Sequence, residues 1–283
     1  ATGNIDFKVN KTAVSLGRIQ VADIVEQSTL LDTRFERSMQ AGAFNLVSTE
    51  ADNILLQQIT PAIGAGIEGI IWNGATAATK TAIAALVAAA PQGSISAGAK
   101  ALVAAMPVNE VDSLPATILF NYSESKAAPG VGLGEYLKVL NIAAVNAGSI
   151  AAQYALIFQA GDDKVLNNKT TPAVIFAPLA DRQFIKIANN AVGAAQQVNF
   201  LIEGAGVNEK IYYNGVQIYF VPLVGFRILT LPKYLKVLMD LVSDISSLET
   251  GQVANGAQQM YYKNVQAFTT WITNQRFITL YGG

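Results

Sequence analysis

The chain contains no cysteine and no histidine. Without cysteine there is no disulfide, thiolate nucleophile, iron–sulfur cluster or cysteine-based zinc site. Without histidine every His-containing triad and every imidazole metal site is excluded. Charge is scarce as well. Only 14% of the 283 residues are charged, where an ordinary soluble chain has roughly 25%. The net charge is −1 and no Lys/Arg run occurs, which argues against a protein that tracks nucleic-acid phosphates. A compact monomer of this mass exposes about 11,700 Å². The 19 basic and 20 acidic residues would then lie at about one per 300 Å², roughly half the usual density. Such a surface is either polar and neutral or covered by other chains, and the second reading is favoured. The segment Ala1 to Asn10 lacks the basic-then-apolar layout of a signal peptide. The Asn-x-Ser/Thr triplets at Asn10, Asn121 and Asn168 therefore read as chance.

What is present is apolar and patterned; 51% of the residues are hydrophobic. Ile5 to Asn10 alternates apolar and polar, the mark of a half-buried strand. Val14, Leu16, Ile19 and Val21 predict a second strand, with a slip of phase at Gly17. Asp23 to Met39 carries most of the local charge and reads equally as exposed helix or loop. Thr49 stands three residues before Asp52, the spacing of a capping box. Ile54, Leu55, Ile59, Ile63, Ile67, Ile70 and Ile71 follow as one stripe at helical spacing. The pattern predicts a long helix kinked near Pro61 and ending before Asn73-Gly74. Thr60-Pro61 also fits the start of a second helix.

Beyond it, Thr79 to Ala90 and a segment ending at Met106 are expected to be helical, with a loop at Gly93 to Gly98. Leu114 to Phe120 is expected to be a strand and Ala127 to Gly134 a loop. Glu135 to Ala160 is expected to be a second long helix, with Tyr136, Leu140, Ala143, Ala147, Ile150, Tyr154 and Ile157 along one seam. Within it, Val139 to Gly161 is uncharged and long enough to span a bilayer. Its amides, Asn141, Asn146, Gln153 and Gln159, favour a buried helix and no membrane. Gly161-Asp162-Asp163 reads as a turn, Ala173 to Ala177 as a strand, and Pro178 to Asn190 as a helix. Ile211 to Tyr213, Asn214-Gly215 and Val216 to Phe220 form a hairpin signal, because Asn-Gly supplies the two positive φ angles of a type I′ turn. Ile228 to Leu231, Tyr234 to Met239, Val265 to Ile272 and Phe277 to Tyr281 are further strand candidates. Strands, a long helix, a mixed stretch and more strands make an α+β fold rather than a regular βαβ alternation.

Candidate chemical motifs are weak. Gly64, Gly66 and Gly69 match the dinucleotide fingerprint by letter, but they lie inside a helical stripe with no strand before them. Close helix packing is the better reading. Ser123 and Lys126 match the Ser-x-x-Lys pattern of serine acyl transferases. Their companion motifs are poor, since Lys169-Thr170-Thr171 lacks the glycine, so a solvated loop is favoured. Asp162 with Asp163, and Asp240 with Asp244, lack the spacing of a calcium loop. Tyr212, Tyr213, Tyr219, Tyr234, Tyr261, Tyr262 and Tyr281 lack neighbouring cations for base stacking and suit sheet packing. No catalytic, cofactor-binding or metal-ligating residue is assigned, and no cofactor is expected.

The segment Ser48 to Gly74, ending Glu68-Gly-Ile-Ile-Trp-Asn73-Gly74, resembles the spine helix of tailed-bacteriophage major capsid proteins, the Hong Kong 97-type fold. Ile211 to Pro222 resembles the hairpin by which such a chain leaves its axial domain. The resemblance implies an α+β capsid fold with a long spine helix, a peripheral sheet domain and an axial α/β domain. On that basis residues 1–74 are the peripheral-type domain with the spine helix, 75–226 the axial-type domain, and 227–283 the returning peripheral strands. It implies a non-enzymatic virion protein assembled in the host cytoplasm. Copies would form the hexamers and pentamers of an icosahedral shell, with portal, scaffold or decoration proteins as further partners and packaged DNA held only non-specifically. Family members carry an N-terminal arm and an extended loop before the spine helix. Only 48 residues precede Thr49, so that region is short or part of the chain is missing. No motif places crosslinking Lys–Asn partners. Two other readings stay open: an encapsulin-like compartment shell with protein cargo, and an α+β enzyme or small-molecule binder using Ser, Lys and carboxylates.

Overall fold

A computed structural model describes residues 16–26, 49–85, 97–127, 138–141, 145–192, 200–239, 249–252 and 259–282. They form two sheets with helices around the larger one. The smaller sheet is built on β10 (Gln259–Ile272), a 14-residue strand rich in aromatic and β-branched residues. β1 (Gly17–Glu26) pairs antiparallel with it from Gly17↔Phe268 to Glu26↔Gln259. β8 (Leu235–Met239) pairs antiparallel with its C-terminal part, and β9 (Glu249–Gln252) with its start.

The larger sheet has seven strands in the order β2-β11-β7-β3-β6-β5-β4. These are β2 (Lys138–Asn141), β3 (Val174–Pro178), β4 (Phe200–Glu203), β5 (Lys210–Tyr213), β6 (Val216–Val221), β7 (Phe226–Thr230) and β11 (Thr279–Gly282). β11 with β2 and β3 with β6 are the parallel pairs; the rest are antiparallel. Successive side chains of a strand point to opposite faces, and here both faces are covered. Phe226, Ile228 and Leu280 enter one core with Trp72, Ile83, Val103 and Leu119. Leu229, Leu231 and Tyr281 enter the other with Ile150, Tyr154, Ile157 and Ile185. Every residue of β7 is buried, as expected of a central strand sandwiched between helices.

Helix α1 (Thr49–Trp72) runs unbroken through Pro61, so the two-helix alternative at Thr60-Pro61 is ruled out. It stops before Asn73-Gly74, as its sequence predicts. Gly74 is not at a positive φ. A Cβ there would run into the Asn109 amide, so close approach, not backbone conformation, requires the glycine. Ile63 is buried, whereas the side chains of Thr49, Asp52, Ile54, Leu55 and Ile59 lie outside the described set. α2 (Ala77–Ala85) and α3 (Ala97–Ala105) follow. Asp112 ties the start of α2 to the turn before the next helix: its Oδ1 accepts from the Thr76 N–H at 2.6 Å and its Oδ2 from the Thr79 hydroxyl at 2.7 Å. The Thr270 hydroxyl on β10 donates to the Asp112 carbonyl at 2.8 Å, linking this group to the smaller sheet.

Several expectations are corrected. Leu114 to Phe120 is not a strand; it opens α4 (Leu114–Ala127). The Ser113 hydroxyl accepts from the Ala116 N–H at 3.4 Å, and Pro115 falls in the first turn, where its missing N–H costs nothing. The helix buries Leu114, Ala116, Ile118, Leu119 and Tyr122 on several sides. A short apolar run of this kind has no periodicity that separates strand from helix. Ser123 and Lys126 consequently lie on a helix rather than in a loop.

Glu135 to Ala160 is not one helix. β2 occupies Lys138–Asn141 and pairs with the end of the chain. A turn follows, in which Asn146 Oδ1 accepts from the Gly148 and Ser149 N–H groups at 2.9 and 3.0 Å. Helix α5 begins only at Ile150 and ends at Ala160. Of the predicted seam, Ile150, Tyr154 and Ile157 remain, all buried. No helix among the described residues is long and apolar enough to cross a membrane.

Asp162 caps the short α6 (Asp163–Leu166), its Oδ1 accepting from the Lys164 N–H at 2.8 Å. α7 (Leu179–Val192) matches the predicted helix. In the hairpin, Asn214 has φ 46° and Gly215 φ 82°, the two positive angles read from Asn-Gly. β1 runs to Glu26, so Asp23 to Glu26 is strand rather than helix or loop. The strand expected at Ile5 to Asn10, the remainder of Asp23 to Met39, and Asp240 with Asp244 lie outside the described residues.

Candidate functional site

The structure does not bring the sequence candidates together. Gly64, Gly66 and Gly69 lie within the unbroken α1. Their N–H groups fall inside the helical ladder instead of opening it, so no free donors converge where a pyrophosphate would sit. The close packing expected at these glycines is also corrected, since among the described residues nothing lies within 4 Å of a Cβ placed at any of the three. Among the described residues no group of three or more Asp or Glu is placed to hold a metal ion.

What the sequence did not single out is a buried polar cluster between α5, α7, β7 and β11. Asp181, in the first turn of α7, is completely buried, and Arg227 in the middle of β7 nearly so. Arg227 grips the carboxylate with two parallel hydrogen bonds: Nη2 donates to Oδ1 at 2.6 Å and Nε to Oδ2 at 2.7 Å. Tyr154 on α5 donates its hydroxyl to Oδ2 at 2.9 Å. The third guanidinium nitrogen donates to the Gly225 carbonyl at 3.2 Å. The pairing is bidentate and charge-assisted, the strong form of such a contact. The carboxylate also sits at the positive end of a helix.

Tyr281 on β11 is buried nearby, and its hydroxyl has no hydrogen-bond partner among the described residues. Burial pushes the Tyr281 phenol up to about 12, outweighing the opposing pull of Arg227. Burial, followed by the Asp181 charge, raises the Tyr154 phenol well above the usual tyrosine range. Both phenols therefore keep their protons at neutral pH. The carboxylate is held by three donors, and the guanidinium is bound to it. A group that is to move a proton must reach a substrate, and all four side chains are enclosed. The hydrogen bonds join α5 and α7 to β7, and the cluster acts as a clasp.

Open grooves occur on the surface of the described residues. One, of about 470 Å³, lies between α2 and α3 and is lined by Lys80, Thr81, Lys100 and Ala101 among others. Lys80 is engaged there with the Ala104 carbonyl at 3.0 Å and with the Met106 carbonyl, capping the end of α3. Another, of about 490 Å³, is lined by Glu203, Gly204, Asn208, Glu209 and Lys210. Lys186 and Arg182 of α7 pair with Glu209 at 2.8 and 3.1 Å. These pairings, the Lys186 hydrogen bond foremost, hold the Glu209 carboxyl below its usual range. Neither groove joins a nucleophile to a base.

A long helix leads into a helix-covered seven-stranded sheet, and a second, smaller sheet is built on one long strand. The chain has the α+β capsid fold of tailed phages. It superposes on a chain of the satellite phage P4 procapsid, a structure that includes the size determination (Sid) protein, with a TM-score of 0.50 at 10% identity, over 99% of this chain and 76% of that one. The capsid of an empty GTA particle gives a TM-score of 0.47 at 12% identity, over 100% of this chain and 80% of that one. The holo-SrpI encapsulin complex of Synechococcus elongatus gives 0.32 at 13% identity, over 58% of this chain and 61% of that one. No protein-family model matches the chain, and neither does any curated protein sequence.

Proposed function

We propose that this chain is a major capsid protein, a non-enzymatic subunit that assembles with its own copies into hexamers and pentamers of an icosahedral shell around phage DNA. The observation that carries the reading is the whole-chain match to a procapsid subunit. The low charge supports it, because a shell subunit has little free surface. So does the enclosure of Asp181 and Arg227, which serves the rigidity of the sheet rather than chemistry on a substrate. Portal, scaffold and decoration proteins, non-specific contact with packaged DNA and assembly in the host cytoplasm belong to the same proposal.

The domain division is carried forward with it: residues 1–74 as the peripheral part with the spine helix, 75–226 as the axial part, and 227–283 as the returning peripheral strands. β8, β9 and β10 of that last segment build the smaller sheet, while β7 and β11 pair within the larger one. Negative-stain electron microscopy with sedimentation of the purified protein tests the reading. Rings or closed shells far above the 29.9 kDa monomer are expected. A clean monomer at high concentration across salt conditions overturns it. Shells loaded with a protein and no nucleic acid would replace the phage reading with a compartment.

A further inference from the structure

The layer formed by α5 and α7 covers one face of the seven-stranded sheet, and its outward side is uncharged, with large apolar side chains exposed among amides. α5 turns Ile150, Tyr154 and Ile157 to the core and Ala152, Leu156 and Gln159 outward. α7 turns Asp181, Ile185 and Ala188 inward. Its outward stripe is Leu179, Gln183, Ile187 and Asn190. Leu156, Leu179 and Ile187 are 49%, 59% and 55% exposed. α5 has no charged residue at all. The three charges of α7 are engaged elsewhere, Asp181 with Arg227 and both Arg182 and Lys186 with Glu209. A helix layer that faces water is normally about one-quarter to one-third charged. Here the charges are confined to the inner side and one flank.

We infer that the outer side of the α5–α7 layer is a contact surface for a second copy of this chain, a reading that rests on the proposed capsid function. Charge and area both select that occupant. A neutral face offers nothing to an acidic or basic partner, and it meets the equally charge-poor surface of its own copies without burying an unpaired ion. The two helices have 11 and 14 residues. At 1.5 Å per residue and about 10 Å in width each, they present a footprint of roughly 20 by 20 Å, or about 400 Å². That is about half of what each partner contributes to a standard stable complex. Such a contact is too small to hold an isolated dimer. It persists where several contacts close a ring or shell together.

The double variant Leu156→Lys/Ile187→Lys tests this. Both positions are exposed, so dispersed subunits should melt as the wild type does, while the yield of rings or shells falls at least about tenfold, since like charges would be juxtaposed in the contact. A second readout needs no disruptive change. The chain has no cysteine, so Ile187→Cys introduces a unique thiol. N-ethylmaleimide should label it at least about tenfold more slowly in assembled particles than in dispersed subunits, because thiol reactivity follows access. A wild type that never assembles removes the capsid reading and this inference with it. A wild type that assembles, with a double variant that assembles equally well or a thiol that labels equally fast in both states, overturns this inference alone.

Discussion

Arg227→Met removes one partner of a buried ion pair and leaves the other in place. Asp181 is completely enclosed. It would lose the bonds from Nη2 and Nε, at 2.6 and 2.7 Å, and keep only the Tyr154 hydroxyl at 2.9 Å. Methionine fills much of the vacated volume, so the loss is electrostatic more than steric. Breaking a buried pair from one side costs about 3–5 kcal/mol. For a chain of 283 residues that corresponds to a fall in melting temperature of roughly 5–8 °C. Adding Asp181→Asn removes the stranded charge while keeping an acceptor for Tyr154. The double variant should recover about 2 kcal/mol or more relative to Arg227→Met alone. Urea unfolding of dispersed subunits, followed by far-ultraviolet circular dichroism, measures both quantities, with equal m-values as the check that the transitions are comparable. If Arg227→Met costs less than about 1 kcal/mol, or if the double variant is as unstable as the two singles summed, the clasp is not the structural element described here.

Tyr281→Phe removes a buried hydroxyl that has no partner among the described residues, so the variant should be as stable as the wild type at neutral pH or more stable by about 1 kcal/mol. The Tyr281 pKa is raised from 10.0 to about 12 on folding, so the native state holds the proton longer than the unfolded chain. Its contribution is fully present below pH 10 and is lost as the pH climbs from 10 toward 12. The wild-type melting temperature should fall more steeply than that of Tyr281→Phe over that window; parallel curves would contradict the assignment. Gly66→Ala meets open space on a helix, so it should stabilise the dispersed subunit by about 0.5–1 kcal/mol. It should leave any nucleotide affinity unchanged, since none is expected. Destabilisation of the dispersed subunit, or saturable binding of NAD or ATP by the wild type that the variant loses, would revive the reading of Gly64, Gly66 and Gly69 as a functional loop.

Features that depend on a few neighbouring residues were legible in the sequence. Asn214-Gly215 set the hairpin turn, because only those residue types accept two successive positive φ angles at little cost. The isoleucine spacing and Asn73-Gly74 delimited α1, and the absence of histidine and cysteine by itself removed most catalytic chemistry. Tertiary structure decided what depends on distant partners. Leu114 to Phe120 became helix because apolar partners enclose it on more than one side. Lys138–Asn141 became strand because β11, arriving from the far end of the chain, offers it a ladder. The clasp was hidden for the same reason. Asp181 and Arg227 are 46 residues apart, and each alone looks like an ordinary charge. The lone arginine inside the apolar run Leu223 to Leu231 was the one hint that a buried counter-charge was needed. Backbone geometry is local and is written in adjacent residues. The desolvation of a charge depends on everything that folds around it, and only the completed sheet with its two helices supplies that environment.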